Sequence, residues 1–93
     1  MLVGGGNLRA MAVRFHPHAK QRMVERGATE AEVEAAVQEG EQFQAKLGRT
    51  GFRRNFVFEK AWRGRIYGTK QAEVYAVCED RDWLVITVIV RYF

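Results

Sequence analysis

Apolar positions along the chain follow a helical period up to Gly40 and alternate with polar positions beyond it. A first helix is predicted to begin near Pro17, which suits a first helical turn, and to end at Gly27, which suits a left-handed cap. Thr29 and Glu32 have the spacing of a capping box, so a second helix is predicted to begin there and to end at Gly40. The predicted buried stripe of this second helix comprises Val33, Ala36 and Val37.

Beyond Gly40 the pattern predicts strands. The segments QFQAKL, FRRNFVF, EVYAVCE and WLVITVIVRYF are alternating, aromatic-rich or β-branched, and the turn EDRD precedes the last of them. Helices followed by consecutive strands indicate an α+β domain, with two N-terminal helices packed on a roughly four-stranded antiparallel sheet. Residues 1–12 are assigned to a flexible N-terminal tail and residues 13–93 to this single domain. Alternation on the last strand predicts one shared face for Leu84, Ile86, Val88 and Val90.

The composition fits one small domain with a hydrophobic core, since 47% of the 93 residues are hydrophobic. The lone cysteine, Cys78, excludes an internal disulfide and a cysteine-rich zinc site. The sequence contains neither an apolar run of membrane-spanning length nor a signal peptide, so a cytoplasmic location in a bacterial-type cell is expected.

Charge is distributed unevenly along the chain. Residues 25–41 contain six glutamates and one arginine, whereas residues 41–70 contain eight basic residues and two acidic ones. A concentrated basic region suits a polyanionic partner, of which nucleic acid is the commonest. Solvated strand faces and turns are the alternative explanation of the same charges.

The segment FHPHAKQRMVERG places His18, Arg22 and Arg26 four residues apart, on one stripe of the first predicted helix. Histidine titrates near neutral pH, and the planar fork of arginine matches phosphate oxygens. The stripe is therefore either a catalytic edge or the solvated side of a surface helix whose arginines pair with nearby glutamates. His16 and His18 together suggest a metal, but no further ligand follows at useful spacing, so no metal and no cofactor are predicted.

Three segments together resemble a known group of proteins. HAKQRMVERG, then TEAEVEAAVQEGE, and finally VITVI in the last strand are similar to a widespread group of small bacterial domains of unknown function. That group resembles the RelE-type and BrnT-type toxins of toxin–antitoxin systems, within a broader set of metal-independent ribonucleases. The resemblance covers roughly residues 15–93 and implies a RelE-like fold. It also implies a substrate face lined by the helical His18 and Arg22, with Arg26 one turn further on, and by Thr87 on a late strand.

RNA cleavage without a metal needs a base, an acid and cations that stabilise the charge developing on the phosphate. His18 would transfer protons, Arg22 would hold the phosphate and Thr87 would orient an oxygen. A glutamate, Glu25 or Glu73, would have to serve as the second acid–base residue. The predicted catalytic residues are thus His18, Arg22 and Thr87, and the predicted substrate-binding residues are Arg26, Lys70 and Arg91.

The leading hypothesis is a metal-independent endoribonuclease, with the toxin of a toxin–antitoxin pair as one role for it. RNA and an antitoxin protein are the partners that this hypothesis implies. A non-catalytic RNA-binding surface is the second hypothesis, because arginines alternate with aromatic residues in FRRNFVFEKAWRGRIY. The third is a protein-interaction module that takes up a partner at a sheet edge. No membrane partner is expected, and the oligomeric state stays open.

Overall fold

The computed structural model describes residues 11–93, and the predicted tail therefore lies almost wholly outside the described residues. Two helices pack on one side of a five-stranded sheet with the strand order β1-β5-β4-β3-β2. The elements in chain order are β1 (Val13–Phe15), α1 (Pro17–Arg26), α2 (Glu30–Glu39), β2 (Glu41–Gln44), β3 (Thr50–Trp62), β4 (Arg65–Glu79) and β5 (Asp82–Tyr92).

The predicted four-stranded antiparallel sheet is wrong in strand count and in direction. A fifth strand, β1, precedes both helices and pairs in parallel with β5, which makes the sheet mixed. This strand has only three residues, too few to show alternation, and its partner lies at the other end of the chain. Parallel pairing also requires a long crossover, here the whole segment from α1 to β4. The broader assignment to the α+β class stands.

Both helices begin and end as their capping residues predict. His16 caps α1 by accepting from the backbone N–H of His18, and Gly27 ends the helix with a φ of 82°. The Thr29 hydroxyl and the Glu32 carboxylate form the predicted capping box at the start of α2. These signals are short-range, which is why the sequence alone could predict them. The predicted buried stripe of α2 is confirmed at Val33, Ala36 and Val37.

The predicted alternation along the last strand is wrong because of an irregularity in pairing. Between Tyr75 and Ala76 the register of β4 with β5 shifts, so that Ala76 pairs with Val85 while Tyr75 pairs with Thr87. The shift leaves one residue of β5 unpaired, as in a β-bulge. The side chains on the two sides of this residue therefore no longer follow one continuous alternation between the two faces of the sheet. Val85 and Val88 are therefore both fully buried under the helices.

The sheet has two different sides. The side that we call the helix-facing side supplies Phe52, Val74 and Val88 to the core, where they meet Met23 of α1 and Val33 of α2. No helix among residues 11–93 covers the opposite side, which we call the open face. Alternation along the strands determines which side chains reach each face. A binding site is therefore expected on the open face.

Candidate functional site

At the centre of the open face lies Glu73, which is only 4% exposed even though no helix covers it. The Tyr75 hydroxyl donates to its Oε1 at 2.5 Å. Arg53 Nε donates to its Oε2 at 2.9 Å, and Arg91 Nη1 lies 3.3 Å from the same oxygen. We call Glu73, Tyr75, Arg53 and Arg91 the Glu73 cluster. Three polar side chains from three strands thus cover one carboxylate.

Strand register brings this cluster together. Glu73 pairs directly with Arg53 on β3, and Tyr75 lies two residues further along β4 on the same face. Arg91 pairs with Gln71, which places it diagonally beside Glu73 on the neighbouring strand. Because all three neighbours belong to well-paired central strands, the carboxylate is held by the sheet itself and not by loops.

The electrostatics of the cluster keep the Glu73 carboxylate ionised. Burial alone would raise its pKa, but the hydrogen bonds from Tyr75 and Arg53 and the charge of Arg91 outweigh burial and lower the pKa below its ordinary value. The bond to Glu73 in turn raises the pKa of the Tyr75 phenol, with burial acting in the same direction. At neutral pH the site therefore contains an ionised carboxylate and a neutral phenol joined by one hydrogen bond.

Phe43 of β2 lies beside the cluster, with its ring against Gly51 of β3. A Cβ at Gly51 would meet the Phe43 ring at 2.3 Å, so only glycine allows this approach. The ring meets Tyr75 edge to face with centroids 6.1 Å apart, and the Arg53 guanidinium lies 4.5 Å from its centroid. Phe43 thus adds an aromatic surface next to the charged cluster.

A cavity of about 380 Å³ opens between this aromatic surface and the loop that joins β2 to β3. Its polar side chains are the hydroxyls of Tyr75 and Thr87 and the cations of Lys46 and Arg49. Within residues 11–93 neither of these two cations forms an ion pair with a carboxylate. The full lining is Phe43, Ala45, Lys46, Leu47, Arg49, Tyr75 and Thr87.

Two of the six predicted site residues lie on the open face. Thr87 pairs with Tyr75 and lines the cavity, and Arg91 belongs to the Glu73 cluster. Glu73 itself is one of the two glutamates that the sequence predicts as the second acid–base residue. The other, Glu25, lies on α1, where the hydrogen bond from Arg22 lowers its pKa.

The predicted helical stripe is not part of this cluster. His18 is exposed, and Arg22 forms an ion pair with Glu25 at 2.9 Å. Arg26 alone reaches the sheet, where its Nη1 donates to the backbone carbonyl of Val88 at 2.6 Å. That contact attaches the end of α1 to β5.

Lys70 lies on the opposite side of the sheet from Thr87. Its ammonium is under α2, where it donates to both oxygens of Glu32 at 3.1 Å and to the carbonyl of Gly27 at 2.8 Å. The side chain is 7% exposed, and the ammonium lies 4.9 Å from the centre of the Phe58 ring. The structure therefore does not bring the six predicted residues into one site.

Arg53 and Tyr75 are the site residues that sequence reasoning missed. Both lie on predicted strands, and for Tyr75 the spacing of Glu73, Tyr75 and Glu79 along EVYAVCE, interrupted by Val77, is a partial signal. Their meeting at Glu73, however, depends on the register between strands. No local pattern specifies that register when both faces of the strands carry apolar residues.

Comparison with known protein families places the chain in one of them. Residues 15–90 match the family described as a domain of unknown function, DUF4258. This chain belongs to the DUF4258 family. Neither curated proteins nor solved structures give a match, so the resemblance of this DUF4258 domain to RelE-type and BrnT-type toxins is not confirmed. The match includes the whole Glu73 cluster except Arg91, which lies one residue beyond it.

Two further observations concern residues 11–93 as a whole. No helix among them is long and apolar enough to cross a membrane. No group of three or more histidine, cysteine, aspartate or glutamate side chains in this range has an arrangement that would hold a metal ion.

Proposed function

We propose that this DUF4258 domain is a metal-independent endoribonuclease whose active site is the Glu73 cluster on the open face. The observation that carries the proposal is the contact of the Glu73 carboxylate with one phenol and two guanidinium groups. RNA cleavage without a metal requires a base, an acid and phosphate-binding cations; here Glu73 acts as the base through Tyr75, Arg91 is the cation, and water serves as the acid.

The proton transfer runs through Tyr75. As the 2′-hydroxyl of the substrate attacks phosphorus, its proton passes to the Tyr75 oxygen and the phenolic proton passes to Glu73 Oε1. The lowered pKa keeps Glu73 ionised at neutral pH but also makes it a weak base, so this proton transfer has to be concerted with the attack on phosphorus. The P–O5′ bond breaks, the departing oxygen takes a proton from water, and the hydroxide that this leaves takes the proton back from Glu73 through Tyr75, which restores the carboxylate. The products are a 2′,3′-cyclic phosphate and a 5′-hydroxyl end.

Arg91 supplies the charge that stabilises the transition state. Its side chain is 52% exposed and is bound to Glu73 through one nitrogen, which leaves further N–H groups for phosphate oxygens. Arg53 is held more firmly, because it donates to Glu73 and also, through Nη1, to Glu41 at 3.0 Å. Arg53 therefore positions the carboxylate, while Arg91 binds the substrate.

Cleavage of a defined RNA in the presence of EDTA tests the proposal. Tyr75→Phe removes the proton relay but keeps the ring, so we expect kcat to fall by about 10²–10⁴-fold with little change in RNA affinity. Arg91→Gln should lower both kcat and RNA affinity, because a phosphate contact acts in the ground state as well as in the transition state. Cyclic phosphate ends should be found on the products of the wild-type enzyme.

His18→Ala is the matched control, because His18 is the proton-transfer residue that the sequence predicts. Its side chain is exposed and does not line the cavity, so we expect a cleavage rate within about twofold of wild type. Removal of an acid–base residue would instead lower the rate about 10²–10⁴-fold. Absence of any cleavage by the wild type would overturn the enzyme proposal. Loss of cleavage in His18→Ala, with full activity in Tyr75→Phe, would move the active site to α1.

The role as a toxin, with an antitoxin protein as partner, is part of the same proposal and rests on the resemblance of the sequence to toxins. Expression of the wild-type protein should then slow bacterial growth, while Tyr75→Phe should not. If the protein cleaves RNA but does not slow growth, the ribonuclease proposal stands and the toxin role fails.

A further inference from the structure

We propose that the cavity beside the Glu73 cluster binds one unpaired nucleobase, so that the substrate is single-stranded RNA. This inference rests on the proposed function, since the base would belong to a nucleotide next to the phosphate at Arg91. It adds the substrate class, which the Glu73 cluster alone does not specify.

The conformation of the loop is the first observation that supports a base site. Leu47 has a φ of 61°, a left-handed conformation that is unfavourable for a branched side chain, and it is 84% exposed. Backbone hydrogen bonds between Ala45 and Arg49 and between Arg49 and Lys46 hold the loop in this shape. Leu47 and Gly48, both with positive φ, form the hairpin turn that this Arg49–Lys46 bond closes, and the turn holds the apolar Leu47 side chain in solvent at the cavity, where it can contact a ligand.

The opposite wall supplies an aromatic surface. The Phe43 ring lies against Gly51, and its edge-to-face contact with Tyr75 fixes the orientation of the ring. A planar base that enters the cavity would meet Phe43 on one side and Leu47 on the other. Stacking on aromatic rings is how proteins bind unpaired bases without reading their sequence.

The polar groups at the cavity suit the rest of a nucleotide. Lys46 and Arg49 provide positive charge for phosphates, and the hydroxyls of Tyr75 and Thr87 provide donors and acceptors for a ribose or a base edge. Tyr75 also belongs to the Glu73 cluster, so one side chain is shared by the cavity and the proposed active site. A base in the cavity would thus place its own or an adjacent phosphate next to the cluster.

Binding of a short fluorescent RNA, 2′-O-methylated so that it cannot be cleaved, tests the base site. The wild type should bind the single strand more than about tenfold tighter than a duplex of the same sequence, because paired bases cannot enter the cavity. Phe43→Leu should weaken single-strand binding about tenfold by removing the stack. Leu47→Gly should weaken it about fivefold by removing apolar contact, and glycine relieves the backbone strain, so the fold is preserved.

Val57→Ala is the matched control, because Val57 is 83% exposed on β3 and does not line the cavity. It should bind RNA like the wild type. Equal affinity for single strand and duplex, or unchanged binding in both cavity variants, would overturn the base site. If the wild type still cleaves RNA in that case, the proposed function stands without it. If the wild type binds RNA with the expected preference but does not cleave it, the base site stands and the ribonuclease proposal fails.

Discussion

Glu73 combines two properties that rarely occur together in one residue: it is nearly buried, and it lies on a sheet face that no helix among residues 11–93 covers. Burial of an unpaired carboxylate is costly, and here Tyr75, Arg53 and Arg91 offset that cost. The same three contacts that stabilise the charge also define the chemistry proposed for the site. Stability and function are therefore expected to depend on the same atoms.

The Glu73 carboxylate should make folding stability depend on pH. Its pKa in the folded protein lies below the ordinary value of 4.5, so its stabilising effect is complete above pH 4.5 and is lost as the pH falls through the lowered pKa. Glu73→Gln removes the charge and leaves two arginines close together, which should cost about 1–2 kcal/mol at pH 7 because both arginines are partly solvated. Urea unfolding at pH 7 and pH 3 measures both effects.

The variant should lose less stability than the wild type between these two pH values. If both proteins lose the same free energy of unfolding between pH 7 and pH 3, other carboxylates cause that loss. Gln71, next to the cluster on the open face, gives a control variant in Gln71→Ala, which should leave the pH dependence as it is in the wild type.

At the scale of secondary structure elements, the sequence predicted what short-range contacts determine. Both helices begin and end as predicted because Gly27, Thr29 and Glu32 act within four residues of their partners. The three-residue β1 and the irregularity after Tyr75 were not predictable, since each depends on pairing with β5. Thr87 is a site residue that the resemblance to toxins implies, whereas Tyr75 could be found only from the pairing of β4 with β5 and β3, which the sequence does not specify.

Lys70 should act in stability and not in RNA binding, because it joins β4 to both helices. Lys70→Met keeps much of the stem packing but removes the bonds to Gly27 and Glu32, which should cost about 2–3 kcal/mol of unfolding free energy. Lys46→Met, on the exposed loop, should leave stability unchanged and weaken RNA binding. Chemical denaturation and RNA titration of both variants separate the two roles. Weaker RNA binding by a stably folded Lys70→Met would support the substrate-binding role that the sequence predicted.

At the scale of the whole molecule, folding brings the acidic and basic parts of the chain together. Glutamates 32, 39 and 41 pair with Lys70, Arg54 and Arg53, so three of the eight basic residues in 41–70 already have carboxylate partners. Among residues 11–93 the other five have none. They lie at the two ends of the long strand β3: Lys46 and Arg49 in the loop before it, and Lys60, Arg63 and Arg65 near the turn after it.

RNA that contacts these two basic ends should bind with a steep dependence on salt. If about four phosphates are contacted, the log–log slope of single-strand affinity against salt should be near −3. Neutralising Lys46 and Arg49 together to glutamine should make this slope shallower by about 1.4, and neutralising Lys60 and Arg65 should do the same if the RNA spans both ends.

The control is Lys20→Gln with Arg22→Gln on α1, which removes equal charge from residues that pair with glutamates and should leave the slope unchanged. A slope that responds to the α1 pair and not to the loop pair would place the RNA on the helix, as the spacing of His18, Arg22 and Arg26 first suggested. A slope near zero would instead favour a protein partner for the open face, since binding without release of counterions does not depend on phosphates.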